Sequence, residues 1–179
     1  MDKATFVNDL KGLLHQHFEA INGAEEILSF GIYSDGDAST IGIYYNTFKH
    51  WQNCLKEASD QQLLPLHDLF SMEEWKEDIS AVLRIELLDQ LNQEVYEFGT
   101  KAYERGNEGY KDEVFDLFIE ALAAFKTEIN LKEQRLDFFV HLDLSDHWID
   151  DNMFRRFSLL LPEERITQYE EYIKNEQYQ

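Results

Sequence analysis

Two imidazoles and two carboxylates fall close together late in the chain, in His141-Leu142-Asp143-Leu144-Ser145-Asp146-His147. Strict alternation of Leu136, Phe138, Val140, Leu142 and Leu144 predicts a strand. His141 and Asp143 then share its opposite face with Asp137 and Phe139, and Asp146 and His147 follow just beyond. Nitrogen and oxygen donors in that order suit a divalent metal, and with it a metal-dependent or hydrolytic enzyme. The same residues also compose an exposed polar strand face with a loop cap, which is the commoner arrangement. The leading reading therefore assigns no catalytic residue, no metal and no cofactor, and the enzyme stands as the alternative.

Other candidates carry less. His15 and His17 are two apart on a predicted helix, so they lie on different faces. His50 and Cys54 are four apart on another, where a Cys–His pair is geometrically possible. That face is needed for packing, so Cys54 reads as a buried structural thiol. His50 and His67 have no evident carboxylate or nucleophile partner. A single cysteine excludes an internal disulfide. The chain has no Gly-rich phosphate loop, no Gly-x-Ser-x-Gly elbow and no His-Glu-x-x-His.

Charge is the stronger signal. The chain carries 36 acidic and 16 basic side chains, a net charge of −20, and half the excess lies in residues 61–130. Such a surface repels nucleic acid and anionic membranes and attracts basic proteins. Asp112, Asp116 and Glu120 recur every four residues on one helix face, with Glu113 beside them. Like charges at that spacing oppose an isolated helix by about 0.2–0.5 kcal/mol per pair. Glu86, Asp89, Glu94 and Glu97 decorate the preceding helix in the same way. These stripes suit either a solvated face or a surface that meets a basic protein. Asp35 and Asp37, and the segment holding Asp143, Asp146, Asp150 and Asp151, are two further acidic surfaces.

The elements that must position these residues are organised around 26–47. Ile27 to Tyr33 and Thr40 to Tyr45 are rich in β-branched and aromatic residues, and Asp35-Gly36 between them signals a tight hairpin turn. With the strand at 136–144 they predict a small antiparallel sheet whose core includes Ile27, Phe30, Ile32, Ile41, Ile43, Phe138 and Val140. Amphipathic helices are expected over 3–20 and 48–58, the second capped by Thr47. Ser71 and Glu74 have capping-box spacing ahead of Trp75. Long helices over 79–104 and 111–129 form a helical hairpin across the turn at Gly106–Gly109. A short helix is expected within 148–158, and a last one over 162–176 starting at Pro162. The 179 residues make one acidic α+β domain. The start lacks a secretory leader and no window is apolar enough to span a membrane, so a cytoplasmic protein is expected.

Tyr33-Ser34-Asp35-Gly36-Asp37-Ala38-Ser39-Thr40, Asn46-Thr47, Ser71-x-x-Glu74-Trp75 and the late strand from Val140 to Asp146 together resemble a bacterial family, domain of unknown function 4303. The resemblance spans about residues 26–160, and departs at Leu161-Pro162, where Asn-Pro is the expected pair. That family is similar to others found beside polymorphic toxin genes, where small acidic proteins act as immunity proteins. The resemblance implies a protein that binds and neutralises a cognate toxin domain, and brings no catalytic residues. Asp112, Asp116, Glu120, Asp35, Asp37, Asp143, Asp146, Asp150 and Asp151 are the expected contact residues.

Overall fold

The β-rich stretch forms the centre of a mixed sheet. In the computed structural model, which describes residues 1–22, 26–59, 66–72, 75, 77–78, 86–107, 109–133, 138–145 and 149–177, β1 (Ile27–Asp35) pairs antiparallel with β2 (Gly42–Thr47). A two-residue β3 (Glu77–Asp78) extends the sheet beside β2, and β4 (Phe139–Ser145) lies on the other side of β1, in the order β3-β2-β1-β4. Seven helices stand among the described residues: α1 (Lys3–Asn22), α2 (Phe48–Ser59), α3 (Leu66–Phe70), α4 (Glu86–Glu104), α5 (Tyr110–Glu133), α6 (Asp151–Ser158) and α7 (Glu163–Gln177). The α+β class is as expected from the sequence.

Two expectations need correction. First, β4 runs parallel to β1, with Gly31 opposite His141, so the sheet is not purely antiparallel. A parallel partner needs a long crossover, and the helices between β2 and β4 supply it. Second, the hairpin is not a tight Asp-Gly turn. Asp35 closes a wider loop over 36–41: its Oδ1 accepts from the amides of Asp37 (3.1 Å) and Ser39 (2.8 Å), and its carbonyl accepts from the Ala38 amide (2.9 Å). The left-handed residue is Ala38 (φ 53°), not Gly36. That backbone costs about 1–2 kcal/mol, of which burial of the Ala38 methyl group in the core offsets a part. Glu74 and residues 79–85, where the capping box and the start of the helix expected over 79–104 fall, lie outside the described residues, and that helix is described from Glu86 to Glu104.

The periodic faces pack as their spacing requires. Phe18 of α1 and Phe125 of α5 meet Phe30 of β1 and Phe138 beside β4, with ring centroids 5.3–6.4 Å apart. All seven expected core residues are buried, as are Val114, Phe118, Ala121, Leu122 and Ile129 of α5. Thr47 caps α2, its hydroxyl accepting from the His50 amide at 3.2 Å. Gly106, at φ 68°, closes α4 with a Schellman pair: Asn107 donates to the Ala102 carbonyl and Gly106 to that of Tyr103. Pro162 precedes α7, and Glu163 and Glu164 occupy its first turn. No helix among the described residues is long and apolar enough to cross a membrane.

Candidate functional site

The face of β4 that carries His141 and Asp143 is not exposed. The α3 helix and α7 cover it, through Phe70, Tyr169 and Tyr172. His141 is 0% exposed, with its ring 5.9 Å from Phe70 and 5.1 Å from Tyr169. Burial lowers its pKa to about 3, against a smaller opposing effect of the Phe70 backbone. Asp143 is 7% exposed. Its Oδ2 accepts from the Met72 amide (2.8 Å) and its Oδ1 from its own neighbour Leu144 (3.0 Å), so both oxygens hold backbone in place. Asp146 and His147 lie outside the described residues.

Most of the expected contact acids have work inside the chain. Asp112 and Asp116 grip Arg156 of α6: Nη1 reaches Asp112 and Nη2 reaches Asp116, both at 2.6 Å, and Nη2 also donates to the Asp112 carbonyl at 3.2 Å. Burial works against the guanidinium's charge, but hydrogen bonds to Asp116 and Asp112 outweigh it and raise the Arg156 pKa. Glu120 of the same stripe is exposed. Asp35 holds the hairpin loop, and Asp37 pairs with Lys111 while its carbonyl accepts from the Tyr110 hydroxyl at 3.3 Å. Asp150 is the N-cap of α6, accepting from Asn152 (2.9 Å) and Met153 (2.8 Å), and Asp151 follows in the first turn. Sequence spacing finds the acids but not the basic residues that meet them, because Arg156 lies 44 positions from Asp112 and Lys111 lies 74 from Asp37.

The hairpin loop instead builds two concave surfaces against α4 and α5. Asn92 of α4 clamps Ile41 reciprocally, its Oδ1 accepting from the amide (2.6 Å) and its Nδ2 donating to the carbonyl (3.2 Å). Beside this clamp is an open groove of about 460 Å³ lined by Tyr33, Tyr44, Asp89, Gln93 and Tyr96. The rings of Tyr33 and Tyr44 meet edge-on at 5.6 Å. A second hollow of about 530 Å³ lies at the α4–α5 turn, lined by Asp37, Tyr103, Asn107, Tyr110 and Lys111. Tyr96 and Tyr103 are two helical turns apart, and they are 59% and 80% exposed. The tyrosines lie off the buried side of α4, so the pattern that finds the core passes over them.

One more cluster joins residues that sequence reasoning leaves apart. His50 and Cys54 of α2 do pair, the sulfur lying 3.6 Å from Nε2. Asp68 of α3 is the carboxylate partner that the sequence did not reveal: one donor atom from each of the three lies within 4.8 Å of the others. His15 and His17 stay apart as expected. His15 Nε2 meets Glu128 at 2.8 Å, while buried His17 bonds the Leu13 carbonyl through Nδ1 at 3.0 Å. No protein-family model, curated protein or solved structure matches the chain.

Proposed function

We propose that the chain is an interaction protein that binds a basic protein partner, in the manner of an immunity protein that neutralises a toxin domain. The observation that carries this reading is the α4 face. Two exposed tyrosines stand on it, Tyr96 lining one hollow and Tyr103 the other, on a molecule with a net charge of −20. Tyrosine is enriched at the energetic centres of interfaces, because it presents a large rigid surface with a polar tip. Excess negative charge steers a basic partner and repels nucleic acid and anionic membranes. The family resemblance supplies the toxin as the kind of partner and the cytoplasm as the place. The contact surface is thereby Tyr96, Tyr103 and the acids around them. Glu120 and the Asp112–Asp116 pair form a steering margin. The enzyme alternative draws no support from a His141 sealed between Phe70 and Tyr169.

The test is a search of the neighbouring genes for one that encodes a basic toxin domain, followed by binding to its product. The double change Tyr96→Ala and Tyr103→Ala is expected to weaken the complex by more than about tenfold, chiefly through faster dissociation. The triple change Asp112→Asn, Asp116→Asn and Glu120→Gln is expected to slow association and flatten its salt dependence. It should also lower the melting temperature slightly, since Arg156 loses two partners. No complex with such a product, or a complex indifferent to both sets of changes, would overturn the reading.

A further inference from the structure

We propose that His50, Cys54 and Asp68 form a binding site for a borderline-soft divalent metal ion, with zinc as the natural occupant. The argument begins with spacing. Positions four apart on α2 bring imidazole and thiol to one side of the helix, with Sγ 3.6 Å from Nε2 and 4.0 Å from Nδ1 of His50. The α3 helix adds a carboxylate oxygen, and the three donor atoms are mutually within 4.8 Å. Zinc–ligand bonds of about 2.0–2.3 Å place tetrahedral ligands about 3.3–3.8 Å apart, a spacing that Sγ and Nε2 already have at 3.6 Å. Drawing the donors together by up to about 1.5 Å brings all three onto one ion.

Both supporting elements are held firmly. Thr47 caps α2 one residue before it begins. On α3, Leu66, Leu69 and Phe70 are buried, and Asn46 Nδ2 donates to the Asp68 carbonyl at 3.0 Å. The donors are thus carried by helices packed on the sheet, the arrangement that fixes ligand geometry best. Cys54 is buried, while His50 and Asp68 are half-buried, so two of the three donors remain partly open to solvent. Three protein ligands leave a fourth position for water or another ligand, as in open zinc sites.

The donor types select the ion. Thiolate and imidazole favour zinc and its neighbours over magnesium and calcium, which take oxygen. That separates this cluster from the acidic surfaces elsewhere, which offer only oxygen. The same three residue types also compose a thiol nucleophile with its base and orienting acid. A metal ion and an alkylating reagent distinguish the two.

The experiment is titration of the chelator-treated protein with cobalt(II), followed by displacement with zinc. One equivalent is expected to bind with a thiolate-to-cobalt charge-transfer band. Zinc should bleach the band, raise the melting temperature and protect Cys54 from iodoacetamide. Cys54→Ser, His50→Gln and Asp68→Asn should each lower affinity by more than about tenfold, the loss that even an outer-sphere partner causes. The melting temperature of each variant without metal checks its folding, and Cys54→Ala replaces Cys54→Ser if the serine variant unfolds. Absence of the thiolate band overturns the proposal, as does unchanged affinity in the Cys54 and His50 variants. Rapid alkylation of Cys54 that zinc does not slow also overturns it, in favour of the nucleophile.

Discussion

The two faces of the sheet bury similar elements by different chemistry. On one, α1 and α5 meet Phe30 and Phe138 chiefly through the rings of Phe18 and Phe125, with His15 edge-on to Phe125 and His17 buried on α1. On the other, α3 and α7 enclose His141, Asp143 and the hydroxyl of Tyr169 among aromatic rings. The first face is held by non-directional burial and tolerates approximate shape. The second depends on polar groups whose partners must be placed well, because an unpaired buried polar atom is costly. Among the described residues neither ring nitrogen of His141 nor the Tyr169 hydroxyl has a hydrogen-bond partner of good geometry. On this face the Asp143 oxygens are bonded to backbone amides, whereas the His141 ring is packed against the rings of Phe70 and Tyr169. Gly31 shows how tightly, since a Cβ there would run into the His141 carbonyl and Met72 Cε.

The largest way to break the comparison is on the hydrocarbon face. Phe125→Ala removes a ring that meets Phe18, Phe30 and Phe138. It should cost about 3–5 kcal/mol in chemical denaturation. A loss below about 1 kcal/mol would mean that this face can collapse around the gap.

The second test separates the faces by pH. His141 has a folded pKa of about 3 against an ordinary 6.5. Between those values the unfolded chain takes up a proton that the folded chain refuses. The neutral ring's contribution is therefore complete above pH 6.5 and is lost as pH falls, by about 1.4 kcal/mol per unit. The groups around it are Tyr169, the Phe70 backbone and Asp143 farther along the strand. His141→Leu should flatten the acid side of the stability profile, whereas Phe125→Ala should shift the whole profile without changing its slope. Melting curves from neutral to mildly acidic pH decide this, and equal slopes in the wild type and His141→Leu would refute it.

The smallest expected effect sharpens the contrast most. Burial is the main cause that pushes the Tyr169 phenol well above its ordinary pKa, with the Asp143 charge adding to it, so the hydroxyl stays neutral. Tyr169→Phe removes that hydroxyl and keeps the ring against Phe70 and Phe154. Stability should stay level or rise, by less than about 1 kcal/mol. A clear fall in melting temperature would show that the hydroxyl is bonded within the polar face.

How much of this was legible depends on the range of the contact. Spacing alone determined the buried sides of α1, α4 and α5, the Thr47 cap and the core residues of β1 and β2, because a period of 3.6 or 2 fixes which side chains share a face. Composition alone determined the charge. Periodicity cannot say which neighbour covers a face, so Phe139, His141 and Asp143 read as exposed until α3 and α7 closed over them. It cannot give strand direction either, and β4 turned out parallel to β1. The acids that looked like a free stripe found Arg156 on a helix far along the chain. Asp68 reached His50 and Cys54 only because α2 and α3 both pack beside the sheet. Local pattern is set by geometry within a few residues, whereas these meetings are set by where the chain returns after long excursions, and only the packed structure decides that.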